Sequence, residues 1–189
     1  MAYQLLSARV AFLVANEGVE EPELLRPWHV VADAGGVPEL VAPYAGMVEA
    51  MRGFDRAGRF PVDQVTDRAR ASGYDAAVLP GGLVNADHLR TDAAAVDLLM
   101  AMFEAGKPVA ATSHGSLPLI EGDLVAGRTV TSWPSLQSDL RNAGAYWVDR
   151  DVVVCRQGIN TLLTGRGSSD LDVFCDKLVD AFMPAGVPA

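Results

Sequence analysis

In the stretch Gly106-Lys107-Pro108-Val109-Ala110-Ala111-Thr112-Ser113-His114-Gly115, an apolar run stops abruptly at a serine. A strand ending in a nucleophile-type residue, followed by His, Gly and a helical pattern, is the layout of a nucleophile elbow. Such a turn holds the side chain above the sheet, with the first amides of the next helix close by. Small neighbours let the strained turn close. Strand, serine and helix also occur together as plain capping, in which the hydroxyl only satisfies an orphan amide. A serine nucleophile needs an aligned general base, because a hydroxyl ionises far less readily than a thiol. His114 is adjacent in sequence, and adjacent side chains diverge, so it is poorly placed to take that proton. Glu20, Glu21 and Glu23 open the first helical stretch. Each suits the positive end of a helix, and each could instead reach a site.

The other chemistry-bearing residues mostly exclude functions. His29, His88 and His114 are scattered, without Cys or Glu at ligand spacing, so no metal site is expected. Gly81-Gly82 is too short for a dinucleotide loop, and no cofactor is expected. Cys155 and Cys175 show no Cys-x-x-Cys spacing and read as reduced, buried thiols. His29 is expected to face inward beside Trp28. His88 follows Asp87 and either lines the same cleft or lies on the surface, while Trp133 and Trp147 read as core or interface residues. A net charge of -9 over 189 residues argues against an extended nucleic-acid surface or an anionic membrane as partner. No apolar run approaches the roughly 20 residues of a spanning helix. Met1 to Val14 does not read as a signal peptide, so the expected compartment is the cytoplasm.

The elements that must position these residues follow from the hydrophobic pattern. Strands are expected at Ala8–Ala15, Val37–Ala42, Ala76–Leu79, Pro108–Thr112 and Thr161–Thr164, with shorter ones at Thr129–Thr131, Tyr146–Val148 and Val152–Cys155. Helices are expected at Glu20–Ala34, Asp92–Ala105, Leu117–Glu121, Pro134–Ala143 and Ser169–Phe182. Gly46–Val62 reads as a small hairpin. Residues 1–189 are expected to form one domain with a core at about 8–182 and a frayed Pro-Ala-Gly-Val-Pro tail. Strands alternating with helices imply an α/β, mostly parallel sheet covered on both faces, with functional loops at the carboxyl ends of its strands.

Longer motifs add a resemblance. Val78-Leu79-Pro80-Gly81-Gly82 with Asn85-Ala86-Asp87-His88-Leu89-Arg90, Glu104 to Ala111, Thr131 to Leu136, Asp139 to Gly144 and Trp147-Val148-Asp149 resemble, in order, segments of the PfpI type of the DJ-1/PfpI superfamily. Phe60-Pro61-Val62-Asp63 and Ala15 to Leu24 complete the likeness, which covers about residues 8–182. The resemblance implies a flavodoxin-like three-layer sandwich with an added hairpin, and a pocket built on the elbow. It implies that Glu23 sits against the nucleophile, and that backbone amides of Gly81, Gly82 and His114 line an oxyanion hole. Asp87, in the loop from Gly82 to Arg90, would pair with His114 of a second subunit, so a homodimer or larger even assembly is implied. Without that pairing, Asp87 reads as a cap of a short helix. Glu20, Ser116 and Arg166 would line the pocket.

The chain departs from that pattern at its centre. Relatives read Ala-Ile-Cys-His-Gly-Pro where Ala111-Thr112-Ser113-His114-Gly115-Ser116 stands, and Thr-Ser-Arg-x-Pro where Thr164-Gly165-Arg166-Gly167-Ser168 stands. Ser113 is then either a natural divergence, which the changes at Thr112, Ser116, Gly165 and Ser168 favour, or an engineered replacement. The expected function is a small-molecule enzyme of hydrolase, hydratase, glyoxalase or deglycase type with low activity. The alternative is a binding or stress-response protein that keeps the pocket without turnover.

Overall fold

The computed structural model describes residues 5–183. In chain order its elements are β1 (Arg9–Leu13), β2 (Glu17–Glu20), α1 (Glu21–Asp33), β3 (Val37–Ala42), β4 (Met47–Arg52), β5 (Asp55–Pro61), β6 (Gln64–Val65) and β7 (Ala76–Leu79). There follow α2 (Leu83–Arg90), α3 (Ala93–Glu104), β8 (Val109–Thr112), α4 (Leu117–Glu121), β9 (Thr129–Val130) and α5 (Gln137–Asn142). The chain continues through β10 (Tyr146–Trp147), β11 (Val152–Cys155), β12 (Leu162–Gly165) and α6 (Leu171–Phe182).

Seven strands form the central sheet in the order β11-β12-β8-β7-β1-β3-β6, and only β11 runs antiparallel. Its parallel core, β3-β1-β7-β8-β12, has the order of a flavodoxin-like doubly wound sheet. The strands read as continuous apolar runs because each face is covered, yet the side chains still alternate. Ala11, Leu13, Ala77, Leu79, Val109 and Ala111 pack on the side of α2 to α5, against Leu89, Leu99, Met102 and Leu119. Val10, Phe12, Ala76, Val78 and Ala110 pack on the side of α1 and α6, against Leu24, Val31, Phe174 and Leu178. Each large apolar side chain buried this way contributes about 1.5–3 kcal/mol. Three layers result. Ala110 pairs with Val78 on one side and Leu163 on the other, so the loops after β7, β8 and β12 emerge side by side.

Two expectations are corrected here. Glu17–Glu20 is a strand, parallel to β4, and turns the expected hairpin of β4 and β5 into a three-stranded sheet. Leu83–Arg90 is a helix, not a loop. Gly82, at φ 102°, supplies the turn before it, while Asn85, Ala86 and Leu89 face inward. Shorter differences follow turn chemistry: 3-10 turns at Pro134–Leu136 and Ser168–Asp170 precede α5 and α6. The tail expected to fray begins at Pro184, outside the described residues. Among the described residues, no helix is long and apolar enough to cross a membrane.

Candidate active site

Ser113 stands where β8 gives way to a 3-10 turn, Ser113–Ser116, that leads into α4. Its φ is 57°, the left-handed region that costs a non-glycine residue about 1–2 kcal/mol. Packing enforces the turn. Gly115 lies flush against the end of the neighbouring strand β7, so that an added Cβ would come 3.0 Å from the Pro80 carbonyl oxygen and nearer still to that of Leu79. The Ser113 carbonyl accepts a hydrogen bond of 3.3 Å from the Trp133 amide. The plain-capping reading fails, because the Ser113 hydroxyl accepts from no amide of the following turn and bonds His114 Nδ1 instead. The elbow is real.

The three glutamates of the first helical stretch have separate partners. The Glu20 carboxylate accepts from the Gly53 amide at 3.1 Å, tying β2 to the β4–β5 turn. Glu21 accepts from the Gly58 amide at 2.8 Å and Arg52 Nε at 2.5 Å, and these bonds, the amide's first, hold its carboxyl below the usual range. Glu23 alone turns under the sheet end and is 2% exposed. Its Oε2 accepts from the Gly81 amide at 2.9 Å, and its Oε1 accepts from the Ser168 hydroxyl at 2.6 Å. Burial, with a smaller push from Glu20, raises its carboxyl to about 7 against the pull of those two donors. Gly81 separates Glu23 from Ser113. A Cβ there would touch Glu23 Oε2 and lie 3.0 Å from Ser113 Oγ, so only glycine lets the two side chains converge. The Gly81 amide is therefore engaged by Glu23, which leaves Gly82 and His114 as candidate oxyanion donors.

His114 departs from the expectation that adjacent side chains diverge. Its Nδ1 lies 3.3 Å from Ser113 Oγ. The left-handed turn at Ser113 bends the serine back, and Trp133, stacked on the imidazole at 5.9 Å and 28°, fixes the ring. Burial holds the imidazole below its ordinary value, hence neutral at pH 7. With its proton on Nε2, the ring accepts from the serine hydroxyl through Nδ1.

The other predicted residues are dispersed. Asp87 lies within α2 and is exposed, so it does not cap that helix; His88 is exposed near Glu17, at 3.7 Å. Ser116 is buried beside the elbow, and neither its hydroxyl nor that of Thr112 has a protein partner among the described residues. Arg166 is held by Asp149, Asp151 and Asp170 at 2.9, 2.5 and 3.0 Å, so its charge is already neutralised. His29 is exposed rather than inward; Trp28 packs on Phe12 without it. Trp133 is 46% exposed, so it is no core residue. Cys155 and Cys175 are free and buried.

Sequence reasoning missed three contributors. Trp133 supports His114. Asn85, fully buried, accepts from the Ala15 amide at 2.7 Å and donates to the Pro80 and Gly81 carbonyls at 3.0 and 3.1 Å, fixing the Gly81 loop to the end of β1. Ser168 was visible only as a departure from a motif, and its bond to Glu23 spans 145 residues of sequence.

A flavodoxin-like sheet carrying a strained serine at the carboxyl end of a central strand defines the class: a doubly wound α/β protein with a tight strand-to-helix turn at its candidate site. Within that class the chain belongs to the DJ-1/PfpI family, whose model matches residues 8–181. It is 36% identical over 146 residues to a deglycase of Pyrococcus horikoshii, covering 77% of this chain and 84% of that protein. It is 31% identical over 169 residues to protein/nucleic acid deglycase 2 of Escherichia coli, covering 89% of this chain and 94% of the relative. Among solved structures it resembles a two-domain protein of Anabaena variabilis with dj-1/thij/pfpi-like and ferritin-like domains. That match has a TM-score of 0.84 at 31% identity and covers 97% of this chain and 50% of that one.

Proposed function

We propose that this chain is a DJ-1/PfpI-type enzyme that acts on a carbonyl or acyl group of a small molecule at Ser113, with slow turnover. The observation that carries the reading is the convergence of Ser113, in its strained elbow, and the buried Glu23 on the two sides of Gly81. Relatives named deglycases point to glyoxalase or deglycase-like chemistry, and hydrolysis or hydration uses the same parts. Ser113 Oγ attacks the carbonyl carbon while its proton passes to neutral His114 or to ionised Glu23, and the Gly82 and His114 amides receive the developing oxyanion. Rate is limited at the proton transfer. The imidazole contact is long at 3.3 Å, and Glu23 is only partly ionised at neutral pH. Asp87 of a second copy would hold the Nε2 proton of His114, which requires an even-numbered assembly; the cytoplasm is the compartment this reading implies.

The half-protonated Glu23 also favours a second reading, a protein that binds the same small molecules without turning them over. One comparison separates the two: methylglyoxal consumption and ester or amide hydrolysis by the serine form, Ser113→Cys and Ser113→Ala. The enzyme reading expects low turnover in the serine form, a rise of roughly 10²-fold in the cysteine form, and none in the alanine form. Silence in all three leaves only the binding reading.

A further inference from the structure

We infer that Ser168 is a positioning residue: its hydroxyl holds the Glu23 carboxyl against Gly81 and favours the ionised, proton-accepting form beside Ser113. This inference rests on the reading of Ser113 and Glu23 as one site. Ser168 is itself exposed, at the start of the 3-10 turn before α6, while the carboxyl it reaches is 2% exposed. The hydroxyl thus closes Glu23 off from solvent and replaces the hydrogen bond that water would have given. Each carboxyl oxygen then has one fixed donor, Ser168 at 2.6 Å on Oε1 and the Gly81 amide at 2.9 Å on Oε2. Both donors suit the carboxylate, which can only accept. Oε2 is the oxygen on the side of Ser113, so fixing Oε1 also sets the rotation of the group.

The segment carrying Ser168 is itself clamped. Arg166, two residues earlier, is gripped by Asp149, Asp151 and Asp170. Gly167 lies against Trp133, where a Cβ would come 3.1 Å from the indole, and Trp133 stacks on His114. One short stretch therefore braces both groups able to take the Ser113 proton. This gives Arg166 a supporting role in place of the pocket lining expected from the sequence. The titratable groups on elements packed around Glu23 are Glu20 at the end of β2, His114 on the elbow, the Arg166–Asp170 pair on the turn, and the Arg26–Asp172 pair between α1 and α6. Of these, Glu20 acts on Glu23, and against its ionisation.

The test titrates Glu23 directly in the intact chain, by carboxyl carbon resonances of glutamate-labelled protein assigned with Glu23→Gln. Ser168→Thr keeps the hydroxyl. Ser168→Val keeps the bulk without a donor and admits no water. The expected result is an unchanged midpoint for the threonine form and about a tenfold higher proton affinity, one pH unit, for the valine form. Ser168→Ala should move the same way by less, since water can enter, and serves if the valine form does not fold. A valine or alanine form titrating with the parent overturns the inference. A shift without turnover of any carbonyl or acyl substrate supports the positioning role and removes the enzymatic reading. Turnover without a shift removes the positioning role alone.

Discussion

Glu23 concentrates the physics of this site in one carboxyl. In the unfolded chain it titrates near an ordinary glutamate, and in the folded chain near 7, so the native state binds its proton more tightly. Such a group adds full stability below the unfolded value. The contribution is lost as pH rises from about 4.5 through about 7. Glu23→Gln keeps the shape without the charge, so at pH 8 it should be more stable than the parent by up to about 3 kcal/mol. The excess should vanish near pH 4. Urea unfolding at the two pH values measures it, and a glutamine form equal to or weaker than the parent at pH 8 would mean the carboxyl is not desolvated. Glutamate side chains at positions 20, 21 and 23 looked interchangeable in the sequence, since all suit a helix N-terminus. Their partners, Gly53, Arg52 with Gly58, and Gly81 with Ser168, are set by packing between distant segments. No local pattern carries that information.

At the level of elements, the elbow depends on a strand end packed against a glycine. The run from Val109 to Thr112 and its abrupt polar end were readable, because an apolar strand meeting Ser-His-Gly has few structural outcomes. The short helix Leu83–Arg90 was not, although Leu83, Ala86 and Leu89 have helical spacing. Its start is set by Gly82 at φ 102°, wedged against the Gly18 carbonyl, and that contact joins two segments far apart in sequence. Strand β2 was not expected, and only its last residue, Glu20, fell within the expected helix, for a related reason: its pairing partner, β4, lies beyond α1 and β3 in the chain. Gly115→Ala tests the elbow. The added Cβ would overlap the Leu79 carbonyl, and the turn must shift to relieve it. The expected cost is about 3 kcal/mol in thermal or urea unfolding, at the upper end of overpacking effects, with Ser113 displaced. A variant as stable as the parent would show that the turn has room to relax.

At the scale of the whole molecule, the sheet order places the loops after β1, β7, β8 and β12 at one edge, and every candidate group but Trp133, which follows β9, comes from them or from elements that follow directly. The fold class followed from strand and helix alternation, while assembly did not, because an interface leaves no periodic signature. Leu83 and Val84, 62% and 47% exposed at the start of α2, and Trp133 at 46%, are apolar side chains near the elbow turned outward. Light scattering at concentrations above about 10 micromolar should give a dimer or a larger even assembly, as the Asp87–His114 pairing requires; a monomer would remove Asp87 from the account. The central claim, that the fold builds a nucleophile site at position 113 whatever residue occupies it, is tested by alkylation of Ser113→Cys with iodoacetamide against pH. Background is low, since Cys155 and Cys175 are buried and burial pushes the Cys175 thiol up to about 11. The elbow at a helix N-terminus should give a thiol titrating at least about one unit below the unperturbed 8.5, with the midpoint altered by Glu23→Ala. A thiol titrating at about 8.5 or above, indifferent to Glu23, would contradict it.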